Sequence, residues 1–537
     1  MTELKTLTIT NFGGPLTRRN DGDINSGKAK YATSWGYDPY SKPGNLTWLE
    51  QPTSVLTASP VAIVALHSNL TSSAQRTFAV DGAASLYQMT YTATTDTPSV
   101  IGAMTGIGDL SNTQVGIVIF GSTTEKLYVG GDDGIVKVNT DGASRSVLTD
   151  GVSGWNTNRP RPMTTFLGKI YFGNGNNIGE IDSTETIVTT TKLSPGLPFN
   201  TYVADLDVTP DGNYLAITVN ETLVGVGAEF TGGYSSGGAT IASRSGVSRK
   251  LHWNGIDPSF TAQEKYGGFS AYSNTSFSDK DYTLGYDTGG TAIYSGSLKE
   301  ISLPAVQAPF PTATMSTSNM LTFATVEFDN TDDNSKAALF QYGQNDAETP
   351  SGLFRLLKQS AQVRQDVTAI PACLNVSNLV YYPSILAATD HIGGTSRIYY
   401  STVESNDQAP AALLGKLWRF NLNPTGAGSI LAGTYETQTQ LFSKKVAIKE
   451  VRLYTEPLVT DNSFTIDLIG SGGSVMSGGS RIFTVGTNVT AGEDLVKWNP
   501  AIAPTYALGV SITNSSVLGN KSWTAKKLEI DIIDAGR

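Results

Sequence analysis

The sequence predicts an all-β protein in which a β-propeller of about seven blades is followed by an antiparallel β-sandwich or jelly-roll domain. Residues 127–139 (LYVGGDDGIVKVN) and 170–182 (IYFGNGNNIGEID) share a strand–turn–strand pattern and start 43 residues apart. This is the period of a four-stranded propeller blade. Only 16% of the residues are charged, and the abundant Thr, Ser, Asn and Gly suit pleated strands and tight turns. The pattern changes to longer alternating strands over the last hundred or so residues.

Residues 1–55 are predicted to form an N-terminal arm and the start of the propeller. Residues 4–11 alternate in a way that indicates a strand, and the Phe12-Gly13-Gly14-Pro15 sequence interrupts it. A segment rich in Trp and Tyr follows and ends near the turn sequence at 42–45. We expect this segment to lead into the first blade.

Residues 56–432 are predicted to form the propeller, because strand–turn–strand patterns recur along them. Their leading apolar positions step by 49, 43 and 45 residues, at Phe78, Leu127, Ile170 and Leu215. Similar pairs of strands are predicted at 206–217, around a Pro-Asp-Gly-Asn turn, and at 397–401 with 417–422. About 377 residues at this spacing allow seven or eight blades, or fewer if loop insertions are large, and we predict seven. The stretch nearest to a helical pattern is 352–365.

Residues 433–537 are predicted to form the sandwich. The segments with a half-buried, period-two pattern are 445–454, 463–469, 480–485, 506–513 and 527–533. About a hundred residues with five to eight strands are typical of an antiparallel sandwich or jelly roll.

Composition narrows the functional classes. The net charge of −10 gives no support for a nucleic-acid surface, so the pairs Lys444-Lys445 and Lys526-Lys527 are interpreted as strand ends or subunit contacts. The single cysteine, Cys373, excludes an internal disulfide and a cysteine-based zinc site. We find no signal peptide and no apolar run long enough to cross a bilayer, and therefore expect a soluble protein made in a cytoplasm.

The motifs that could carry chemistry do not hold up as sites. The Gly-x-Ser-x-Gly match at 233–237 lacks the strand and helix that a nucleophile elbow needs. The acidic stretch at 21–27 fails the calcium-loop pattern, and that at 329–334 is interpreted as a solvated turn. The three histidines, His67, His252 and His391, have no metal-binding or catalytic spacing. We therefore nominate no catalytic, cofactor-binding or metal-binding residue and expect no cofactor.

Two further features of the sequence bear on carbohydrate, either as a bound ligand or as a covalent modification. Trp155 could stack on a sugar or belong to the core, and the core is favoured. The Asn-x-Ser/Thr triplets at Asn45, Asn69 and Asn220 are interpreted as a result of composition, not as glycosylation sites.

Both ends of the chain resemble phage proteins. Residues 9–16 (ITNFGGPL), 31–40 and 43–46 (PGNL) resemble the start of bacteriophage virion proteins built on a propeller. Residues 435–437 (YET) with 444–449 (KKVAIK) are similar to sandwich modules of phage tail proteins. The resemblance implies a structural virion component, and not an enzyme: a tail protein such as a nozzle, tube end, fibre base or host-contact part.

This resemblance also implies the partners. We expect a homo-oligomer that binds other virion proteins, is assembled in the host cytoplasm and resides in the virion, with a host-surface glycan as a candidate ligand. No specific nucleic acid and no membrane insertion are expected. One alternative is a carbohydrate-binding or carbohydrate-active propeller with an appended binding sandwich. Another is an intracellular scaffold propeller, which would be a monomer with a free partner-binding face.

Overall fold

A computed structural model gives the architecture of the chain. The residues that it describes are 4–10, 12, 31–35, 37–38, 45–48, 53–56, 60–66, 76–81, 85–91, 96–103, 116–121, 124–131, 134–140, 143–148, 153–156, 161–197, 201–221, 248–266, 269–277, 280–287, 290–295, 298–302, 326–330, 335–342, 352–359, 364–370, 382–392, 395–403, 417–421, 433–514 and 523–535. All regular elements in these residues are β-strands, 39 in number.

Seven four-stranded antiparallel sheets form the propeller, and each is a blade. Blades 1 to 3 consist of β6 (Pro60–Leu66), β7 (Arg76–Asp81), β8 (Ser85–Tyr91) and β9 (Asp96–Ala103); β10 (Gly116–Phe120), β11 (Lys126–Gly130), β12 (Ile135–Asn139) and β13 (Ser146–Val147); and β14 (Met163–Phe166), β15 (Lys169–Asn174), β16 (Asn177–Ile181) and β17 (Ile187–Thr189). Blades 4 and 5 consist of β18 (Thr201–Val208), β19 (Leu215–Glu221), β20 (Ser248–Trp253) and β21 (Ala262–Tyr266); and β22 (Phe269–Phe277), β23 (Lys280–Asp287), β24 (Gly290–Ser295) and β25 (Leu298–Ser302). Blades 6 and 7 consist of β26 (Val326–Asn330), β27 (Ser335–Tyr342), β28 (Gly352–Gln359) and β29 (Arg364–Ile370); and β30 (Tyr382–Ile392), β31 (Thr395–Val403), β32 (Leu417–Asn421) and β5 (Thr53–Leu56).

The ring is closed by a strand from the other end of the chain. The first strands of the blades, β6, β10, β14, β18, β22, β26 and β30, contact one another in that order, and β30 contacts β6. The outer strand of blade 7 is β5, which pairs with β32 through Leu56 and Leu417. Residues more than 360 positions apart in the sequence therefore complete one blade, and the ring closes by hydrogen bonding between them.

The predicted all-β fold with a propeller of about seven blades is confirmed. The two opening repeats are the β11–β12 and β15–β16 hairpins, in which Gly130 pairs with Ile135 and Asn174 with Asn177. In the second repeat, close packing requires glycine at position 179, because a Cβ atom there would lie 2.0 Å from the Phe172 ring. The helix-like stretch at 352–365 contributes instead to β28 and β29, which pair along their length. In the blade, pairing between strands overrides the helical spacing of the leucines.

The blades are held together mostly by apolar side chains on facing sheets. One cluster joins blades 1 and 2, another joins blades 2 and 3, and a third joins blades 3 and 4; representative members are Phe78, Leu127, Tyr128, Phe172, Tyr171 and Trp253. Tyr171 and Trp253 meet edge to face with their ring centroids 5.2 Å apart. Burial of this kind of surface is the main force that stacks blades, since one blade cannot cover its own apolar face.

The second domain is a sandwich built from both ends of the chain. Its strands are β1 (Leu4–Ile9), β2 (Tyr31–Trp35), β3 (Tyr37–Asp38), β4 (Leu46–Trp48), β33 (Gly433–Thr437), β34 (Gln440–Thr455), β35 (Ser463–Ile469), β36 (Val475–Thr484), β37 (Leu495–Trp498), β38 (Thr505–Asn514) and β39 (Thr524–Asp534). One layer has the order β36-β35-β38-β33-β2. The other has the order β37-β34-β39-β4-β3, with β1 paired to β39 in line with β4. The start of β34 also pairs with β38 and links the layers.

The opening segment differs from the expectation that residues 1–55 form an arm leading into the propeller. Strands β1 and β4 pair with β39, and β2 pairs with β33, so this segment completes the C-terminal domain. Of the described strands in this segment, β5 alone belongs to the propeller, as the last strand of its closing blade. The physical reason is burial: Leu7, Ile9, Phe12, Leu46 and Trp48 are all at most 4% exposed in the sandwich core.

Candidate functional site

The described side chains between blades 4 and 5 include a group of charged and polar residues. Lys250 on β20 is 1% exposed, and its Nζ lies 3.4 Å from Asp281 Oδ2 on β23. His252 Nε2 lies 3.3 Å from the same oxygen. The Asn274 amide of blade 5 donates a 2.6 Å hydrogen bond to Asp205 Oδ2 of blade 4. Charged and hydrogen-bonding groups therefore hold these two blades in register.

Alternation along β20 explains why Lys250 and His252 lie on the same face. Leu251 and Trp253 point to the other face and join the apolar cluster shared with blade 3. Burial lowers the pKa of Lys250, and the nearby carboxylates of Asp281 and Glu264 act against this shift. A lysine so deeply buried contributes to one specific packing arrangement, since a misplaced neighbour would leave its ammonium group without compensation.

A second charged contact joins blades 2 and 3. Glu185, in the turn between β16 and β17, forms ion pairs with Lys126 and Lys137 of blade 2, with an Nζ–Oε2 distance of 3.0 Å for Lys137. Burial opposes ionisation of Glu185, but the hydrogen bonds from these two lysines outweigh it and lower the pKa of the carboxyl. Glu185 has a φ of 64°, a left-handed conformation that costs energy for a residue with a side chain.

Arg161 forms a third link between blades 2 and 3 and is fully buried. Its Nε donates to the Gly131 carbonyl at 3.2 Å, and its Nη1 donates to the Gly173 carbonyl and to Asn174 Oδ1, both at 3.0 Å. Its guanidinium lies 4.0 Å from the ring centroid of Trp155. One planar side chain thus connects two blades and the segment between them, which a flexible lysine could not reproduce.

Trp155, considered above as a sugar-stacking or core residue, is half-buried and packs against two internal neighbours. One neighbour is the Arg161 guanidinium, and another is Phe172, whose ring centroid is 5.7 Å from that of Trp155. Among the triplet asparagines named above, Asn220 is 5% exposed and receives a hydrogen bond from Ser248. Its burial in β19 makes it inaccessible for glycosylation in the folded chain.

The remaining sequence candidates lie mainly outside the described residues or side chains. Those in this group are His67, Cys373, the 233–237 motif, the 21–27 stretch, most of the 329–334 stretch, Asn69 and the side chain of His391. Within the described residues, no three His, Cys, Asp or Glu side chains are placed to hold a metal ion. The same residues contain no helix of the length and apolarity needed to span a bilayer.

The outer face of the β1–β39–β34 layer carries a ladder of charges. Arg452 Nη1 lies 2.7 Å from Asp531 Oδ2 and 2.6 Å from Glu450 Oε2, and its Nε lies 3.0 Å from Glu529 Oε2. Thr6 donates a 2.6 Å hydrogen bond to Asp531 Oδ1. The hydrogen bonds from Arg452 lower the pKa of Asp531. This ladder ties the first strand of the chain to the last through side chains as well as backbone.

A protruding bulge gives the sandwich an exposed basic and apolar surface. Leu441 pairs with Ala507, but Val446 pairs with Thr505. Four residues, 442–445, therefore stand opposite Tyr506 alone. Leu441 is 61% exposed and Tyr506 is 55% exposed. The Lys445 ammonium lies 5.6 Å from the Tyr506 ring centroid. Exposed apolar side chains framed by lysines are typical of a protein-contact surface, and this is the best candidate for one in the described residues.

The sequence interpretation left Lys444 and Lys445 as either strand ends or subunit contacts, and it missed Arg161 and Lys250. The alternation in 248–253 (SRKLHW) does place Lys250 and His252 on one face. It does not reveal that blade 5 covers that face, because the covering residues come from a different repeat. The aromatic residues and glycines around Arg161 likewise do not indicate which groups accept its hydrogen bonds. These groups belong to Gly131, Gly173, Asn174 and Asn156.

No family model and no curated protein matches this chain. Among solved structures, an exo-β-1,3-galactanase from Phanerochaete chrysosporium is 9% identical with a TM-score of 0.24, and the match covers 70% of this chain and 97% of that one. An arabinoxylan arabinofuranohydrolase from Bacillus subtilis is 9% identical with a TM-score of 0.25, covering 88% and 95%. The C-terminal WD40 domain of Sif2 is 10% identical with a TM-score of 0.39, covering 70% and 99%. These values are too low to carry the activity or the partners of those proteins over to this chain.

Proposed function

We propose that this chain is a structural component of a bacteriophage virion, namely a tail protein that acts by assembling with copies of itself and with other virion proteins. One observation carries the proposal. The two segments that resemble phage virion proteins, near the start and near the end of the chain, form a single domain. Strand β1 pairs with β39, and β2 pairs with β33.

The contacts between these segments are intimate. Phe12, in the opening motif, packs edge to face on Tyr435, in the closing motif, with ring centroids 5.5 Å apart. The Tyr435 hydroxyl donates to the Phe12 carbonyl at 3.5 Å. Two weak resemblances in one folded unit support each other better than two in separate places would, because both then describe the same module.

The architecture suits a mechanical part. The chain completes strands of the sandwich, closes the ring with β5, runs around seven blades and returns to the sandwich. Both ends of the propeller are therefore connected to one domain. The core of that domain combines residues from both terminal segments, such as Leu7 and Ile532. Such a body resists opening at its ring closure, as a tail component under load requires. The proposal assigns no catalytic role to the chain.

The proposal predicts that the chain is found in particles. We would purify virions of the phage that encodes it, identify the chain by mass spectrometry, and locate it with gold-labelled antibodies raised against the folded protein. Labelling at the tail is the expected result. Absence from intact particles, or a coding sequence remote from terminase, portal and tail genes, would refute the proposal.

A glycan array and a hydrolysis screen of the purified chain distinguish the virion role from the alternative of a carbohydrate-binding or carbohydrate-active propeller. A host-contact part could bind one surface glycan without turnover. Hydrolysis of a saccharide by a chain that is absent from particles would favour the carbohydrate-active propeller instead.

A further inference from the structure

The two ends of the sandwich carry opposite charge. Strand register defines the first end, where Leu4 pairs with Ile533 and Val446 pairs with both Asp534 and Thr505. The exposed residues there include three lysines and three large apolar side chains: Lys5, Lys444, Lys445, Leu4, Leu441 and Tyr506. We call this set the basic end.

The opposite end of the same domain is acidic. Here Thr455 pairs with Ala525 and Gly433 pairs with Asn514, next to the loops 456–462 and 485–494. Glu493, Asp494 and Asp461 are exposed, Glu456 is half-buried, and Val459 is 42% exposed. We call these five residues the acidic end.

The acidic end is a built surface and not a loose loop. The Leu458 amide donates to the Glu493 carbonyl at 2.8 Å, and the Gly492 amide donates to the Leu458 carbonyl at 2.7 Å. The Thr455 amide donates to the Asp494 carbonyl at 2.8 Å. The backbone thus fixes where these carboxylates project. Among the described residues, the opposite charges at these ends are Asp534 at the basic end and Lys526 with Lys527 at the acidic end. They are outnumbered at each end, so its sign is unchanged.

We propose that the basic end of one copy of this chain docks on the acidic end of a second copy. The inference deepens the proposed assembly role, on which it rests, by naming the two surfaces. Each end combines exposed apolar surface with charges that are mainly of one sign, and the two ends have opposite signs. The chain as a whole has a net charge of −10, so the lysine group is the exception that calls for an acidic partner.

The docking is head to tail, and its geometry has a consequence. A contact between two basic ends would bring Lys444 and Lys445 of both copies together, which like-charge repulsion disfavours. Two different surfaces on each copy make a heterologous contact, which generates a closed ring or an open helical array. A ring around a tail axis is one such arrangement.

Charge reversal in the full chain tests the proposal. Sedimentation velocity over a concentration series should show self-association that weakens as salt is added. Lys444→Glu with Lys445→Glu, or Glu493→Lys with Asp494→Lys, should each weaken it about tenfold or more. Mixing the two variants, or combining all four changes in one chain, should restore it. Lys497→Glu reverses an exposed lysine on β37, between the ends, and should have no effect.

Carbodiimide cross-linking of mixed ¹⁴N- and ¹⁵N-labelled chains gives an independent readout. It joins lysines to carboxylates that are in contact, so we expect mixed-isotope links from Lys444 or Lys445 to Glu493 or Asp494. Circular dichroism checks that each variant is folded. A chain that stays monomeric at every concentration without these links would overturn the proposal, as would association that is insensitive to the Glu493 and Asp494 changes. Presence of the chain in particles is measured separately, so either idea can fail without the other.

Discussion

Replacing Phe12 by alanine is predicted to unfold the sandwich at markedly lower denaturant, because this residue fastens the opening segment to the closing one. Phe12 is fully buried, and its ring meets that of Tyr435 edge to face at 5.5 Å. Truncating a buried Phe to Ala typically costs about 3–5 kcal/mol, part of it from the cavity that remains. The hydrogen bond from Tyr435 ends on the backbone of residue 12 and can survive the change. We therefore expect a loss of about 4 kcal/mol in the free energy of unfolding.

A loss of this size is large against the 5–15 kcal/mol that usually stabilises a domain (about 0.1 kcal/mol per residue). It can be measured by urea titration with near-ultraviolet circular dichroism, which reports on the packed aromatic core. In that core, Trp523 stacks on Phe464 at 4.3 Å and lies 5.4 Å from Trp48. The transition of the sandwich should move, and because β5 follows β4 by only a few residues, ring closure should weaken with it.

Leu4→Ala is the matched control. Leu4 is on the same paired strand but is 58% exposed, so its truncation should change stability by less than about 0.5 kcal/mol. A Phe12→Ala shift below about 1 kcal/mol would refute the view that the opening segment is a working part of the sandwich core. So would equal effects of the two substitutions.

Three further predictions concern buried charges. Arg161→Lys should lower the free energy of unfolding in urea by about 3 kcal/mol or more, because a single ammonium group cannot reach the acceptors in both blades that the guanidinium reaches from Nε and Nη1. The exposed Arg145→Lys is the control. Burial lowers the pKa of Lys250 in the folded state. Between that lowered pKa and the unfolded-state value of about 10.4, the wild type should therefore gain stability with rising pH relative to Lys250→Met. Parallel curves of stability against pH for the two proteins would contradict this. Hydrogen bonds from Arg452 lower the pKa of Asp531. The wild type should therefore be more stable than Arg452→Met by the full amount above about pH 4, and this difference should shrink as the pH falls further. A difference in stability that persists in acid would contradict the prediction.

Hairpins of blades 1 to 4 and of blade 7 were predictable because their signals are local, whereas the period blurs after about residue 225. The turn in 127–139 and that in 170–182 are each flanked by alternating apolar residues, and the pairing partners lie between 3 and 13 positions apart. A blade is mostly a set of sequential hairpins, so a period near 43 residues is enough to predict the architecture. Even the last hairpin, β31 with β32, was recognisable from 397–401 and 417–422.

The role of the opening segment was not predictable in the same way. Thr6 donates its hydrogen bond to Asp531, 525 residues further along the chain. Residues 4–11 reveal a strand but carry no mark of the strand they pair with. The pattern in 445–454 likewise fits a sandwich whether or not an N-terminal strand completes it. Partner choice between distant segments is set by total burial, which no local window contains.

The basic end and the acidic end differ in the same way, because one is local in the sequence and the other is assembled from separate loops. Lys444 and Lys445 are adjacent in sequence, and their solvent exposure follows from the bulge that residues 442–445 form. The acidic end combines 456–461 with 493–494, two loops brought together by three backbone hydrogen bonds. A charge pattern that spans one folded domain therefore exists only after folding, even though each half is visible in the sequence. The proposed docking uses both halves, so the sequence alone could not have identified the two surfaces that it brings together.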